Sequence, residues 1–99
     1  MDFAFSIEGV PIRLTAERWF HIVETHDDLA GYYDEVLETI ERPDVVLRGY
    51  KGSLIASRSY GHKQYLMVVY RQLSKNDGFI ITAYFTGKLD RKKVIWKKF

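Results

Sequence analysis

The sequence contains no cysteine and only two prolines among its 99 residues. Without cysteine the chain has no disulfide framework, no thiolate nucleophile and no cysteine-based metal site. No apolar run approaches the ~18–20 residues that a membrane-spanning helix needs. The N-terminal segment Met1-Asp2-Phe3 also lacks the basic residues that open a signal peptide. These absences predict a soluble, cytoplasmic protein with no metal and no other cofactor.

Hydrophobic and aromatic residues are plentiful, at 46% and 15% of the chain. This content is enough for a packed core and excludes a disordered protein, which combines low hydrophobicity with high net charge. Because a domain usually spans ~100–150 residues, residues 1–99 are expected to form a single domain.

Charge is sorted along the chain. Residues 1–44 contain 11 acids and 3 bases, whereas residues 45–99 contain 2 acids and 12 bases. Since both parts pack into one small domain, the fold is expected to present an acidic side and a basic side. A basic side attracts a polyanion such as RNA or DNA. Docking of an acidic partner protein, or a dipolar surface without a role, would give the same pattern.

The hydrophobic period changes near residue 45. Before it, a short alternating hairpin within residues 3–14 precedes two amphipathic helices, predicted at residues 16–26 and 29–41. After it the apolar period is two, which is typical of strands. We predict four to five strands, near residues 45–50, 53–60, 64–73, 79–86 and 94–98. The expected fold is α+β, with both helices on one face of a four- to five-stranded antiparallel sheet.

The segment 79–86 predicts which face of the sheet stays open. The odd-numbered residues are all apolar and are expected to lie beneath the helices: Phe79, Ile81, Ala83 and Phe85. The even-numbered residues carry more hydroxyl groups and are expected to face solvent or a ligand: Ile80, Thr82, Tyr84 and Thr86.

Cations and tyrosines are interleaved in the basic part of the chain. Phosphate contacts and base stacking use these residue types, but strand tyrosines are also common at the edge of a core. The cations are Arg48, Lys51, Arg58, Lys63 and Arg71, and the tyrosines are Tyr50, Tyr60, Tyr65, Tyr70 and Tyr84. Four lysines near the C-terminus are interpreted as part of a solvated final strand: Lys92, Lys93, Lys97 and Lys98.

Two histidines, His21 and His26, lie on the first predicted helix. A separation of five residues places them about 140° apart around the helix, so they cannot chelate one metal together. His26 continues the apolar stripe to the helix C-terminus, where the helix dipole favours a protonated imidazole suited to a general acid. Alternatively, His26 only satisfies the terminal carbonyl groups of the helix.

Four sequence segments, in order along the chain, resemble motifs of the phage-type branch of the barnase–EndoU–colicin–RelE (BECR) nuclease-like family. The first is the segment TAERWFHIVETH of the first predicted helix, at residues 15–26. The others are IERPDVV at residues 40–46, KQYLMVV at 63–69 and FIITAY at 79–84. The resemblance extends over about residues 15–88, and the order of two helices followed by an antiparallel sheet agrees with the periodicity.

The resemblance implies a toxin-like or phage-derived endoribonuclease that needs no metal. In such an enzyme the 2′-OH of RNA attacks the adjacent phosphorus, with a histidine as acid or base. The matching residues around the phosphate are His26, His21, Arg58, Thr82 and Tyr84, with Lys63 and Tyr65 binding nucleic acid beside the basic residues Arg48, Lys51 and Arg71. RNA and an acidic antitoxin or immunity protein are the expected partners.

One departure from the family pattern bears on activity. Asp27 and Asp28 follow His26, where the family often has proline. Two carboxylates repel phosphate unless they orient or charge the imidazole. A non-catalytic RNA-binding or protein-interaction module on the same fold is therefore the alternative function.

Overall fold

The computed structural model describes all 99 residues as two α-helices packed on one seven-stranded sheet, which confirms the α+β class. The helices are α1 (Ala16–Thr25) and α2 (Tyr33–Glu41). Neither helix has the length and apolar character that crossing a membrane requires. The strands, in chain order, are β1 (Asp2–Phe5), β2 (Pro11–Leu14), β3 (Val45–Arg48), β4 (Leu54–Ser59), β5 (Tyr65–Ser74), β6 (Asp77–Thr86) and β7 (Val94–Lys97).

The sheet has more strands than the four to five expected, in the order β1-β2-β6-β5-β4-β3-β7. The N-terminal hairpin joins it because Ile12 and Arg13 pair in parallel with Gly78 and Phe79. The expectation of a purely antiparallel sheet is therefore wrong at this junction, although every other pair of strands is antiparallel. Local periodicity detects single strands and carries no information on which distant strand each one joins.

Local sequence explains the helix boundaries. The Thr15 side chain accepts a hydrogen bond from the Arg18 amide at 3.1 Å and so caps α1. Helix α1 ends at Thr25, and the His26 amide donates to the Ile22 carbonyl oxygen at 2.8 Å. The second helix begins later than expected because Asp27–Leu29 forms a separate 3-10 turn.

The core lies between the helices and one face of the sheet. Residues directly opposite one another in adjacent strands share a face, and Ala56, Val68 and Ala83 form such a row. These three residues are fully buried against Val36 and Ile40 of α2, in a cluster that also includes Ile22 of α1. The helices therefore cover one face of the sheet, as expected, and leave the other face open.

A β-bulge in β6 changes which residues face the helices. Val69 pairs with Thr82 but Tyr70 pairs with Ile80, so Ile81 is left without a partner. The extra residue reverses the alternation on its N-terminal side. Ala83 and Phe85 face the helices as expected, but Ile80 is buried in the core and Phe79 lies on the open face. The assignment of Ile80 and Phe79 from strict alternation was wrong for this reason.

The junction between β2 and β6 leaves no room for a side chain at Gly78. A β-carbon there would lie 2.6 Å from Ile12 Cδ1 and 2.7 Å from the Arg71 carbonyl oxygen. We therefore expect Gly78→Ala to lower the free energy of unfolding by about 1–3 kcal/mol, measured by urea denaturation. Gly31→Ala is the control, because nothing lies within 4 Å of a β-carbon at Gly31. Equal denaturation midpoints for the two variants would contradict close packing at this junction.

Arg13 reinforces the same junction. Its Nε and Nη2 atoms donate to the two carboxylate oxygens of Asp77 at 2.8 and 3.0 Å. The hydrogen bonds from the guanidinium hold the pKa of Asp77 below its usual value. This ion pair joins β2 to the first residue of β6 on the open face.

Candidate nucleic-acid interface

We call the face of the sheet opposite the helices the open face. Ser57, Met67 and Tyr84 are cross-strand partners on this face, one residue away from the buried row on each strand. Strand β6 ends beside β5, but β7 pairs with β3 on the far side of the sheet. Residues 87–93, which we call the crossing segment, therefore pass over the ends of three strands.

A groove of about 470 Å³ lies between the open face and the crossing segment. Its apolar floor is formed by Leu47, Ile55 and Met67, with Tyr84 and Thr86 beside them. We call this the basic groove, because it is lined by four cations and one acid: Arg48, Lys51, Lys88, Lys93 and Asp90.

The cations of the basic groove are free of carboxylate partners. None of Arg48, Lys51, Lys88 and Lys93 takes part in the ion pairs of the molecule. The Asp90 carboxylate is engaged locally, since its Oδ1 accepts from the Lys92 amide at 3.1 Å. The groove thus combines an uncompensated positive charge with an apolar floor.

A second basic pocket lies on the other side of the crossing segment. It is lined by Lys63 and Tyr65 together with Lys88, Arg91 and Lys92. Lys88 and Asp90 line both cavities, and each cavity has four cations against this one acid.

Tyr50 stands at the rim of the basic groove and is 79% exposed. It belongs to a 3-10 turn, Tyr50–Gly52, in which Lys51 has a φ of 49°. The Ser53 hydroxyl holds this turn by donating to the Tyr50 carbonyl oxygen at 2.8 Å. A non-glycine residue in the left-handed region is strained, and strained residues cluster at functional sites. The turn presents an exposed ring and a cation together at the groove.

His26 and Tyr84 are brought together by the fold. Their ring centroids lie 6.0 Å apart, with the planes tilted by 38°. Thr82 lies two residues before Tyr84 on the open face of the same strand. Asp27 and Asp28 are exposed, and neither forms an ion pair with the imidazole. The carboxylates therefore do not orient His26 in this structure.

Arg58 and His21 are separated from that pair. Arg58 lies opposite Leu66, on the face covered by the helices, and its Nη1 donates to Glu38 Oε1 at 2.6 Å. Tyr84 is on the other face of the sheet, so the expected grouping of Arg58 with Tyr84 is not formed. His21 is exposed on α1, where its Nδ1 lies 3.5 Å from Glu24 Oε1.

Four of the five residues predicted to bind nucleic acid lie on or beside the open face, whereas Arg48, at the end of β3, is paired with Leu54 of the helix-covered side and reaches the groove from the strand end. Arg48 and Lys51 line the basic groove, and Lys63 and Tyr65 line the neighbouring pocket. Arg71 lies on the open face opposite Phe79, with its Nη1 3.7 Å from where a β-carbon of Gly52 would lie.

Lys88 and Lys93 were missed as groove residues. Their basic run is visible in the sequence, but its pattern predicts that Lys93 is part of a solvated final strand. The path of the crossing segment over the open face depends on β7 pairing with β3, which the local pattern does not show.

No group of three or more histidine, aspartate or glutamate side chains is arranged to hold a metal ion. Comparison with protein-family models, curated proteins and solved structures finds no match to this chain.

Proposed function

We propose that this protein binds single-stranded RNA on its open face. Phosphates would contact the cations of the basic groove, and bases would stack on the tyrosines beside it. The observation that carries the proposal is the convergence of four unpaired cations and the exposed Tyr50 ring on one groove. Positive grooves with exposed aromatic rings are typical of proteins that bind single strands.

The apolar floor of the basic groove favours a single strand over a duplex. Leu47 and Met67 are buried beneath the groove, whereas Ile55 is partly exposed there and suits the face of an unpaired base. A duplex keeps its bases stacked inside and presents mainly its phosphates and groove edges. The floor would therefore add affinity only for bases that are free to leave the stack.

The charge distribution favours approach from the open face. The acidic part of the chain supplies both helices, whose outward side chains include Glu17, Glu24, Asp34, Glu38 and Glu41, all exposed. A polyanion is repelled by that surface and attracted by the groove. The electrostatic field of the protein therefore steers RNA toward the open face.

Salt-dependent binding tests this proposal. We expect a fluorescently labelled single-stranded RNA to bind with a slope of log K against log salt of about −2.8, since each of four phosphate contacts contributes about −0.7. A duplex of equal length is expected to bind more weakly. Binding that is independent of salt, or a preference for the duplex, would contradict the proposal.

The contact between His26 and Tyr84 favours cleavage of the bound RNA as a second candidate function. The 2′-oxygen would attack phosphorus and give up its proton, forming a 2′,3′-cyclic phosphate as the bond to the 5′-oxygen breaks and that oxygen is protonated. His26 would carry out one of the two proton transfers and a water molecule the other, and the Tyr84 and Thr82 hydroxyls would donate to the phosphoryl oxygens.

This second function is the BECR-like activity that the sequence resemblance implies, with a different source of positive charge. Arg58 is hydrogen-bonded to Glu38 on the other face of the sheet. Lys88 and Lys93 would therefore stabilise the additional negative charge on the phosphoryl oxygens. An acidic antitoxin or immunity protein would act by covering the same cations.

A further inference from the structure

A row of alternating aromatic and arginine side chains crosses the open face beside the basic groove. Phe3 on β1 pairs with Arg13 on β2, which pairs with Phe79 on β6, which in turn pairs with Arg71 on β5. Because cross-strand partners share a face, all four side chains stand on the open face. We call this row the aromatic–arginine ladder: Phe3, Arg13, Phe79 and Arg71.

The members of the ladder are accessible or held in place. Phe3 is 55% exposed, and its ring lies edge-on to that of Phe5 with centroids 5.3 Å apart. The Arg13 guanidinium lies 6.0 Å from the centre of the Phe79 ring, and Asp77 fixes its orientation through two hydrogen bonds. Arg71 forms no ion pair and remains available to an anion.

The ladder is continuous with the basic groove. Arg71, at one end, approaches the turn that carries Tyr50 and Lys51. From Arg71 to Phe3 the row spans three strand spacings of ~4.8 Å, about 14 Å in all. That length corresponds to about four nucleotides stacked at ~3.4 Å.

We propose that the aromatic–arginine ladder is a second subsite that extends the RNA path from the basic groove to β1. This inference rests on the proposed function and adds the length of strand that the protein takes. Phe3 and Phe79 stack on bases, the fixed guanidinium of Arg13 gives a further flat surface, and Arg71 contacts the phosphate between the two subsites. The subsite depends on the bulge at Ile81, because the bulge places the Phe79 side chain on the open face.

Binding of uridine oligonucleotides of four, eight and twelve residues tests the ladder. The unmodified protein is expected to bind the 12-mer more tightly than the 4-mer. Phe3→Ala is expected to lower affinity for the 12-mer by roughly 5- to 150-fold, the range for losing one stacked base, and to change affinity for the 4-mer less than twofold. Phe79→Ala is expected to act in the same way if circular dichroism shows that it folds.

Phe20→Ala is the matched control, because Phe20 is 63% exposed on α1 and lies outside the open face. Unchanged 12-mer affinity in Phe3→Ala would overturn the ladder. So would a concentration-dependent dimer that Phe3→Ala abolishes without changing RNA affinity, because the patch would then serve self-association. Failure of every oligonucleotide to bind would overturn the proposed function itself. Tight binding of the 4-mer, with no higher affinity for the 8-mer or 12-mer, would overturn only the ladder.

Discussion

The triple variant Lys51→Ala, Lys88→Ala, Lys93→Ala is expected to bind single-stranded RNA about 100-fold more weakly than the unmodified protein at ~0.1 M salt. Each phosphate contact to a single strand contributes about 0.7 to the slope of log K against log salt, or about fivefold in affinity at that concentration. The slope should become shallower by about 2.1, because three phosphate contacts are lost and Arg48 alone remains in the basic groove. Fluorescence anisotropy across a salt series measures both quantities.

A second triple variant separates local contacts from net charge. Arg18, Arg42 and Lys75 are exposed and lie outside the basic groove. Their replacement by alanine removes the same three charges, yet it is expected to leave the slope near that of the unmodified protein. Exposed substitutions of this kind usually change stability by less than about 0.5 kcal/mol, so both proteins should fold. Equal losses of RNA affinity in the two triple variants would contradict a localised site.

His26→Ala is expected to lower the rate of RNA cleavage by about 10²–10⁴-fold, the usual contribution of a general acid or base. Incubation of end-labelled RNA with equal concentrations of the two proteins, with and without EDTA, measures this loss. Cleavage by the unmodified protein should survive EDTA, because the proposed chemistry uses only side chains. RNA affinity should stay within about twofold in the variant, since the imidazole is not one of the four groove cations.

His21→Ala is the control for His26. Both residues belong to the same helical segment, but His21 is exposed beside Glu24 whereas His26 lies against Tyr84. Full cleavage by His26→Ala would contradict a role as acid or base. Intact RNA with every protein, together with tight binding, would assign the chain to the non-catalytic alternative.

Much of the fold is predictable from local sequence. The capping Thr15, the apolar stripes and the change of period near residue 45 give two helices followed by strands, and the structure confirms each within a few residues except the start of α2. Those signals depend on neighbours along the chain. They are strong because the helix period and the strand period bury different sets of side chains.

The composition of the site was predictable in part, but its arrangement was not. Lys51, Lys63, Tyr65 and Arg71 lie around the open face, and Arg48 lines the groove from the end of β3, because charge sorting concentrates cations in residues 45–99. Arg58 is an exception, since its place on the helix-covered face follows from the register of β4 with β5. The bulge at Ile81 and the pairing of β7 with β3 are likewise tertiary features, and they decide the positions of Phe79, Lys88 and Lys93.

Chemical-shift mapping of the isotope-labelled protein with a 12-residue oligouridine tests the central claim most directly. The account predicts that the amide signals of residues 47–51, 63–71 and 82–93 shift with added RNA, as do those of Phe3, Arg13 and Phe79 in the ladder. The amide chemical shifts of residues on the outer surface of α2, including Glu38 and Glu41, should not change. Shifts concentrated on α2 with an unperturbed crossing segment would contradict RNA binding on the open face.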